Sequence, residues 1–277
     1  MTDVRTEDAP ATQQARTGPN PTGDFIWYEL MTPDPDGAKA FYDAVVGWDI
    51  EPRPAGEMDY RMIRRSDGGN AGGVLRITSD MASEGARPTW LGYINVGDVD
   101  ESTASIERSG GTILMKHDIP GIGRIAMVTD PQGAPFYVMN PIPPANDPNG
   151  RSDVFSRHGQ QRVGWNELAT SNQKAALEFY TSQFGWTKGE AMPMGEMGDY
   201  QLLAHHDVPI GAIMTRAADR PTRWRFYFRV SDLDAAKSAI EAGGGTVMHG
   251  PVEVPGGDRM LIGSDPQGAE FALVGGA

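Results

Sequence analysis

Two glutamates stand out by the residues beside them. Glu29 lies in Trp27-Tyr-Glu-Leu30, and Glu167 lies in Trp165-Asn-Glu-Leu168. Side chains two apart on a strand share a face, so each carboxylate sits next to a tryptophan. A carboxyl among apolar groups titrates above its usual range and can serve as a general acid or base. Tyr93 and Tyr227 open the matching segments Tyr93-Ile-Asn-Val96 and Tyr227-Phe-Arg-Val230, and each could donate its hydroxyl to a ligand oxygen. Glu29, Glu167, Tyr93 and Tyr227 are therefore the candidate catalytic residues. The alternative is architectural, with each glutamate bonded to backbone or to an arginine and each tyrosine packed with its hydroxyl satisfied. Arg225 and Arg229 either bind an anionic ligand or neutralise a nearby carboxylate, Glu167 or Glu270.

Other chemistry is absent from the sequence. There is no cysteine, so disulfides, thiolate metal sites and a cysteine nucleophile are excluded. His205-His206 is the only histidine pair, and strand neighbours point to opposite faces, so both cannot easily hold one ion. A solvated loop end is the expectation for them. No phosphate-binding glycine loop, nucleophile elbow or HExxH motif occurs. A net charge of −13 repels a phosphate backbone and an anionic membrane, so neither nucleic acid nor membrane is an expected partner. No apolar run reaches the length of a membrane span. The segment 1–22 is polar, lacks the apolar stretch of a secretory signal, and reads as a disordered tail of a cytoplasmic protein.

The elements that must position these residues come in duplicate. Trp27 and Trp165, Phe41 and Phe179, and Gly47 and Gly185 are each 138 residues apart, and Asp130-Pro-Gln-Gly-Ala134 returns as Asp265-Pro-Gln-Gly-Ala269 at an offset of 135. Two domains follow, 23–141 and 162–277, joined by a proline-rich linker over 142–161. Within the first, Phe25–Met31 alternates as a strand. Ala38, Phe41, Tyr42 and Val45 then form one face of a helix, capped by Asp34 or Asp36 and ended by Gly47. Short strands follow at Tyr60–Arg64 and Gly73–Ile77. The plan then restarts with a strand at Leu91–Val96, a helix over Asp98–Ser109, and strands at Thr112–His117, Arg124–Thr129 and Ala134–Met139. Each domain is thus a pair of strand–helix–strands units whose sheets can curl around a shared space.

This pattern resembles the vicinal oxygen chelate superfamily, the group of glyoxalases, bleomycin-resistance proteins and extradiol dioxygenases. The resemblance rests on Trp27-x-Glu-Leu30, Phe41-Tyr42 with Gly47-Trp48, Tyr93-Ile-Asn-Val-Gly-Asp-Val99, Gly110-Gly-Thr112 and Asp130-Pro-Gln-Gly-Ala134, all with counterparts in the second copy. It implies an α+β fold of two tandem glyoxalase-like domains, each from paired βαβββ units that form a U-shaped sheet around a cavity. In the superfamily's enzymes that cavity holds a divalent metal. At the positions the resemblance assigns to ligands this chain has Trp27, Leu91 and Tyr137 in the first copy, and Trp165, Arg225 and Ala272 in the second. None is a carboxylate or imidazole, so no metal and no cofactor is expected.

The cavity faces then carry Trp27, Glu29, Tyr93 and Tyr137 in one copy, and Trp165, Glu167, Arg225, Tyr227, Arg229 and Glu270 in the other. The expected partner is a small-molecule ligand. The leading expectation is a metal-independent module of the bleomycin-resistance type that binds or sequesters that ligand. The alternatives are an enzyme (a lyase, isomerase or hydrolase) using Glu29 or Glu167 or a displaced metal site, and a structural or partner-binding protein. The two copies are expected to pair within a pseudo-symmetric monomer or to form a homodimer.

Overall fold

A computed structural model describes residues 18–276. The tail expected over 1–22 lies outside the described residues up to position 17. Beyond it the chain is tied down: Asn20 donates to Asp24 (3.0 Å) and its carbonyl accepts from Asn95 (2.7 Å).

The first copy runs β1 (Phe25–Thr32), α1 (Pro35–Val46), β2 (Asp49–Ile50), β3 (Tyr60–Arg64), β4 (Asn70–Arg76), a short α2 (Ser79–Ser83), β5 (Thr89–Asn95), α3 (Val99–Arg108), β6 (Thr112–Ile119), β7 (Gly123–Thr129) and β8 (Pro135–Pro141). The second repeats it as β9 (Val163–Thr170), α4 (Gln173–Phe184), β10 (Thr187–Pro193), β11 (Asp199–His205), β12 (Val208–Thr215), β13 (Arg223–Arg229), α5 (Leu233–Ala242), β14 (Thr246–Glu253), β15 (Arg259–Ser264) and β16 (Glu270–Gly275). Local chemistry sets the helix ends. Asp34 accepts from Gly37 N ahead of Pro35 at the first turn of α1, and Gly47 closes the helix at φ 79°, where a side chain would be strained. Asn172 and Gly185 do the same for α4.

Each copy forms one eight-stranded sheet, in the order β2-β3-β4-β1-β5-β8-β7-β6 and its equivalent. The two units of a copy meet where β1 pairs antiparallel with β5, and β4 and β8 flank that seam in parallel pairings. Alternation sends Tyr28 and Leu30 of β1, Trp90 and Ile94 of β5 and Phe136 and Val138 of β8 into one core. That core is common to both copies, because it also contains Leu168, Phe179, Tyr180, Trp224, Phe226 and Phe271.

The repeated Asp-Pro-Gln-Gly turns help close this seam. Asp130 Oδ1 accepts from the backbone of Gln132 and Ala134, while its Oδ2 accepts from Tyr180 of the other copy (3.2 Å). Asp265 mirrors it, with Tyr42 as donor (3.1 Å). Trp48 donates to the carbonyl of Gln161, and Trp186 to that of Gly23. The copies therefore pack on each other within one chain. The connector over 142–161 is more than a spacer: Val154 is buried in the core, Ser152 Oγ donates to the carbonyl of Ile26, and Arg65 pairs with Asp153. Among the described residues no helix is long and apolar enough to cross a membrane.

Candidate functional site

The opposite face of the first sheet carries a second, smaller apolar cluster: Ile26, Met31, Ile77, Leu91, Tyr93, Ile125, Tyr137 and Met139, with Trp27 packed against it. Glu29 lies within it, 2% exposed. Its strand register places it across from Leu91 on β5 and Gly73 on β4, and Trp27 across from Tyr93, which in turn faces Tyr137 on β8. Tyr60 reaches over from β3. A Cβ at Gly73 would come 2.2 Å from the Tyr60 hydroxyl, so the bare glycine makes room for that ring.

Three hydroxyls converge on the carboxylate. Tyr93 donates to Glu29 Oε2 at 2.8 Å, and the hydroxyls of Tyr60 and Tyr137 also act on it. Trp27 Nε1 donates to Tyr60 Oη at 2.8 Å and fixes that hydroxyl. The Tyr93 and Tyr137 rings stack 4.2 Å apart. Glu29 Oε1 is buried and has no hydrogen-bond partner. Burial pushes the Glu29 carboxyl up to about 7, because the tyrosine hydroxyls only partly offset the lost hydration. Burial and the nearby glutamate together hold the Tyr60, Tyr93 and Tyr137 hydroxyls well above their ordinary range, so they stay protonated.

The second copy rebuilds the same quartet and completes it differently. Tyr227 and Tyr200 donate to Glu167 Oε2 at 2.8 and 2.9 Å, and Trp165 Nε1 donates to Tyr200 Oη at 2.8 Å. Arg225 stands where Leu91 stands in the first copy and donates to Glu167 Oε1 at 2.5 Å. It also pairs with Glu270, which accepts from Arg223 as well. Ala272 takes the place of Tyr137.

The structure thus brings Trp27, Glu29, Tyr93 and Tyr137 together, and separately Trp165, Glu167, Tyr227, Arg225 and Glu270. Arg229 joins neither group, because its guanidinium pairs with Asp258. His206 is exposed on a turn at φ 47°, but His205 is buried, 3.4 Å from Asp24, and not at a solvated loop end. The sequence reading passed over Tyr60 and Tyr200. Their signal was the repeated Asp-Tyr at 59–60 and 199–200, each following a Gly-Glu-Met at 56–58 and 195–197.

Residues 25–138 and 162–273 each match the model of the Glyoxalase/Bleomycin resistance protein/Dioxygenase superfamily. The chain belongs to this superfamily. It is 33% identical over 252 residues to a Mycobacterium tuberculosis protein named "Putative glyoxylase CFP32", covering 90% of this chain and 93% of that one. It is 30% identical over 271 residues to the anthracycline biosynthesis protein DnrV of Streptomyces peucetius, covering 90% and 91%. In fold it is similar to the Mn(II)-bound glyoxalase of Novosphingobium aromaticivorans (TM-score 0.61, 17% identity, 94% of this chain and 83% of that one). It is equally similar to a homoprotocatechuate 2,3-dioxygenase variant from B. fuscum (TM-score 0.63, 17% identity, 92% and 72%).

The superfamily's metal chemistry needs anionic and imidazole donors in a cluster. Among the described residues no group of three or more His, Cys, Asp or Glu side chains is placed to share an ion. The first site offers one carboxylate among protonated tyrosines, and the second site's carboxylates are already held by Arg225. These donors do not fit a divalent metal.

Proposed function

We propose that this protein is a metal-independent small-molecule-binding module of the superfamily, with the ligand taken up by the first domain at Glu29. The observation that carries the reading is the unpartnered, buried Glu29 Oε1 on a face otherwise lined by aromatic and aliphatic side chains. A buried acceptor left without a donor costs free energy, on the order of 1–3 kcal/mol. A ligand that supplies the donor recovers that cost, and its apolar body covers the surrounding rings. The second site has no such unpartnered oxygen at its glutamate, because Arg225 donates to Glu167 Oε1. Two relatives are named as anthracycline biosynthesis proteins, and a flat, ring-rich natural product of that kind suits stacked Tyr93 and Tyr137. The test is a melting-temperature screen against planar aromatic metabolites and antibiotics. A ligand that raises the melting temperature of the native chain but not of Glu29→Gln supports the reading. A panel with no such ligand removes it.

One observation favours a second reading, an enzyme without metal. A carboxyl that titrates at about 7 and is held by Tyr93 through one oxygen can accept and return a proton with the other. If so, Glu29→Gln abolishes a measured turnover whose rate rises with an inflection near pH 7, and unchanged turnover rules the reading out.

A further inference from the structure

The two sites share a tryptophan–tyrosine–glutamate–tyrosine arrangement, and the residue across from the glutamate, Leu91 in one and Arg225 in the other, describes a ligand. In both, a tryptophan indole fixes a tyrosine hydroxyl (Trp27–Tyr60, Trp165–Tyr200). In both, a fifth-strand tyrosine donates to Oε2 of the first-strand glutamate (Tyr93–Glu29, Tyr227–Glu167). In the second copy a guanidinium nitrogen of Arg225 occupies the remaining oxygen, Oε1. In the first copy Oε1 is the atom left without a partner, and the residue in Arg225's register is Leu91. Pro135 replaces Glu270, so the anion that anchors the far side of Arg225 is missing as well. The second site is a self-filled version of the first.

Resting on the reading of the first site as a ligand site, we propose that its ligand is an organic cation. A protonated nitrogen on an aromatic or aliphatic body donates to Glu29 Oε1, where Arg225 donates in the second copy.

The surroundings agree with this. Trp27, Tyr60, Tyr93 and Tyr137 put four aromatic side chains around the carboxylate, and aromatic faces favour a desolvated cation. Leu91, Ile125 and Met139 make the rest of the surroundings apolar. Arginines nearby in the chain are committed elsewhere: Arg61 to Asp59 and Asp36, Arg124 to Asp118 and Asp100. The net charge of −13 attracts a cation over the whole surface.

The test uses two probes of the same shape, benzylammonium and neutral benzyl alcohol, titrated calorimetrically into the full-length protein in two buffers of different ionisation heat. Benzylammonium is expected to bind at least about tenfold more tightly, an advantage expected of a desolvated charge pair. It should release about half a proton per site at pH 7, because Glu29 passes from half to fully ionised. Glu29→Gln should bring the two probes level, and Leu91→Arg should abolish benzylammonium binding by supplying a tethered cation. Benzyl alcohol binding as tightly as benzylammonium would overturn the cation while leaving a ligand site at Glu29. Benzylammonium binding that persists in Glu29→Gln would overturn the assignment to this carboxylate. Failure of both probes at millimolar concentration, in a protein that still binds some other neutral aromatic, would also defeat the cation alone.

Discussion

Leu91 and Arg225 hold the same register position in the two copies, each directly across from the first-strand glutamate. With Pro135 in place of Glu270, this difference separates a closed ion network from a buried carboxyl with one unpartnered oxygen. Trp27, Tyr60 and Tyr93 around Glu29 match Trp165, Tyr200 and Tyr227 around Glu167, while Tyr137 is replaced by Ala272.

Replacing Glu29 by glutamine is expected to stabilise the protein in a pH-dependent way. A carboxyl raised from 4.5 to about 7 contributes stability that is fully present below about pH 4.5 and is lost as pH rises through about 7. Glutamine does not titrate. Glu29→Gln should therefore gain on the native chain up to about 3 kcal/mol above pH 7, with the gain shrinking toward pH 4.5. Urea midpoints across that range check it, and a pH-independent difference would contradict it.

Arg225→Leu converts the second site to the residue found in the first. It leaves Glu167 buried beside Tyr200 and Tyr227 with no cation, a change that costs roughly 3–5 kcal/mol where a buried pair is broken. Adding Glu167→Gln should return much of that loss. Chemical denaturation of the single and double variants measures both.

The seam between the copies makes a separate prediction. Tyr180→Phe removes the donor to Asp130 and the acceptor of Trp224 Nε1, and Tyr42→Phe does the same to Asp265 and Trp90. Each should cost about 1–3 kcal/mol for the groups left unpaired. Because the core is shared, tryptophan fluorescence and circular dichroism should still report one coincident unfolding transition.

Much of this was legible beforehand, for identifiable reasons. The 138-residue spacing of Trp27 and Trp165 revealed the duplication, and period-2 alternation put Trp27 and Glu29 on one face with Tyr93 and Tyr137. The stop at Gly47 follows from residue chemistry alone, whereas the same chemistry narrows the cap only to Asp34 or Asp36, of which Asp34 is the one that accepts from Gly37 N. Three things were not legible. Tyr60 reaches Glu29 only because β3 pairs with β4 in a register that sets it across from Leu75, from where its ring extends over Gly73, and pairing register is a long-range property. Asp130 reads as a turn residue because its local hydrogen bonds are local in sequence, whereas its second oxygen bonds to Tyr180, 50 residues on. His205 reads as a loop end, yet the packing of β11 against the first copy's entry segment buries it beside Asp24.

Divalent metal should be without effect. A site that bound Mn²⁺ or Zn²⁺ would raise the melting temperature in step with metal concentration. With one carboxylate among protonated tyrosines at the first site, millimolar Mn²⁺ or Zn²⁺ should leave both the melting temperature and the Trp27 emission where they were. A saturable shift lost in Glu29→Gln would contradict the donor analysis.

The most direct test of the open carboxyl is a pH titration of the protein labelled with ¹³C at the glutamate side-chain carboxyls. The account predicts one glutamate resonance with an inflection at about pH 7, absent from the spectrum of Glu29→Gln. Every glutamate titrating in the ordinary carboxylate range, or a resonance near 7 that survives in Glu29→Gln, would contradict it.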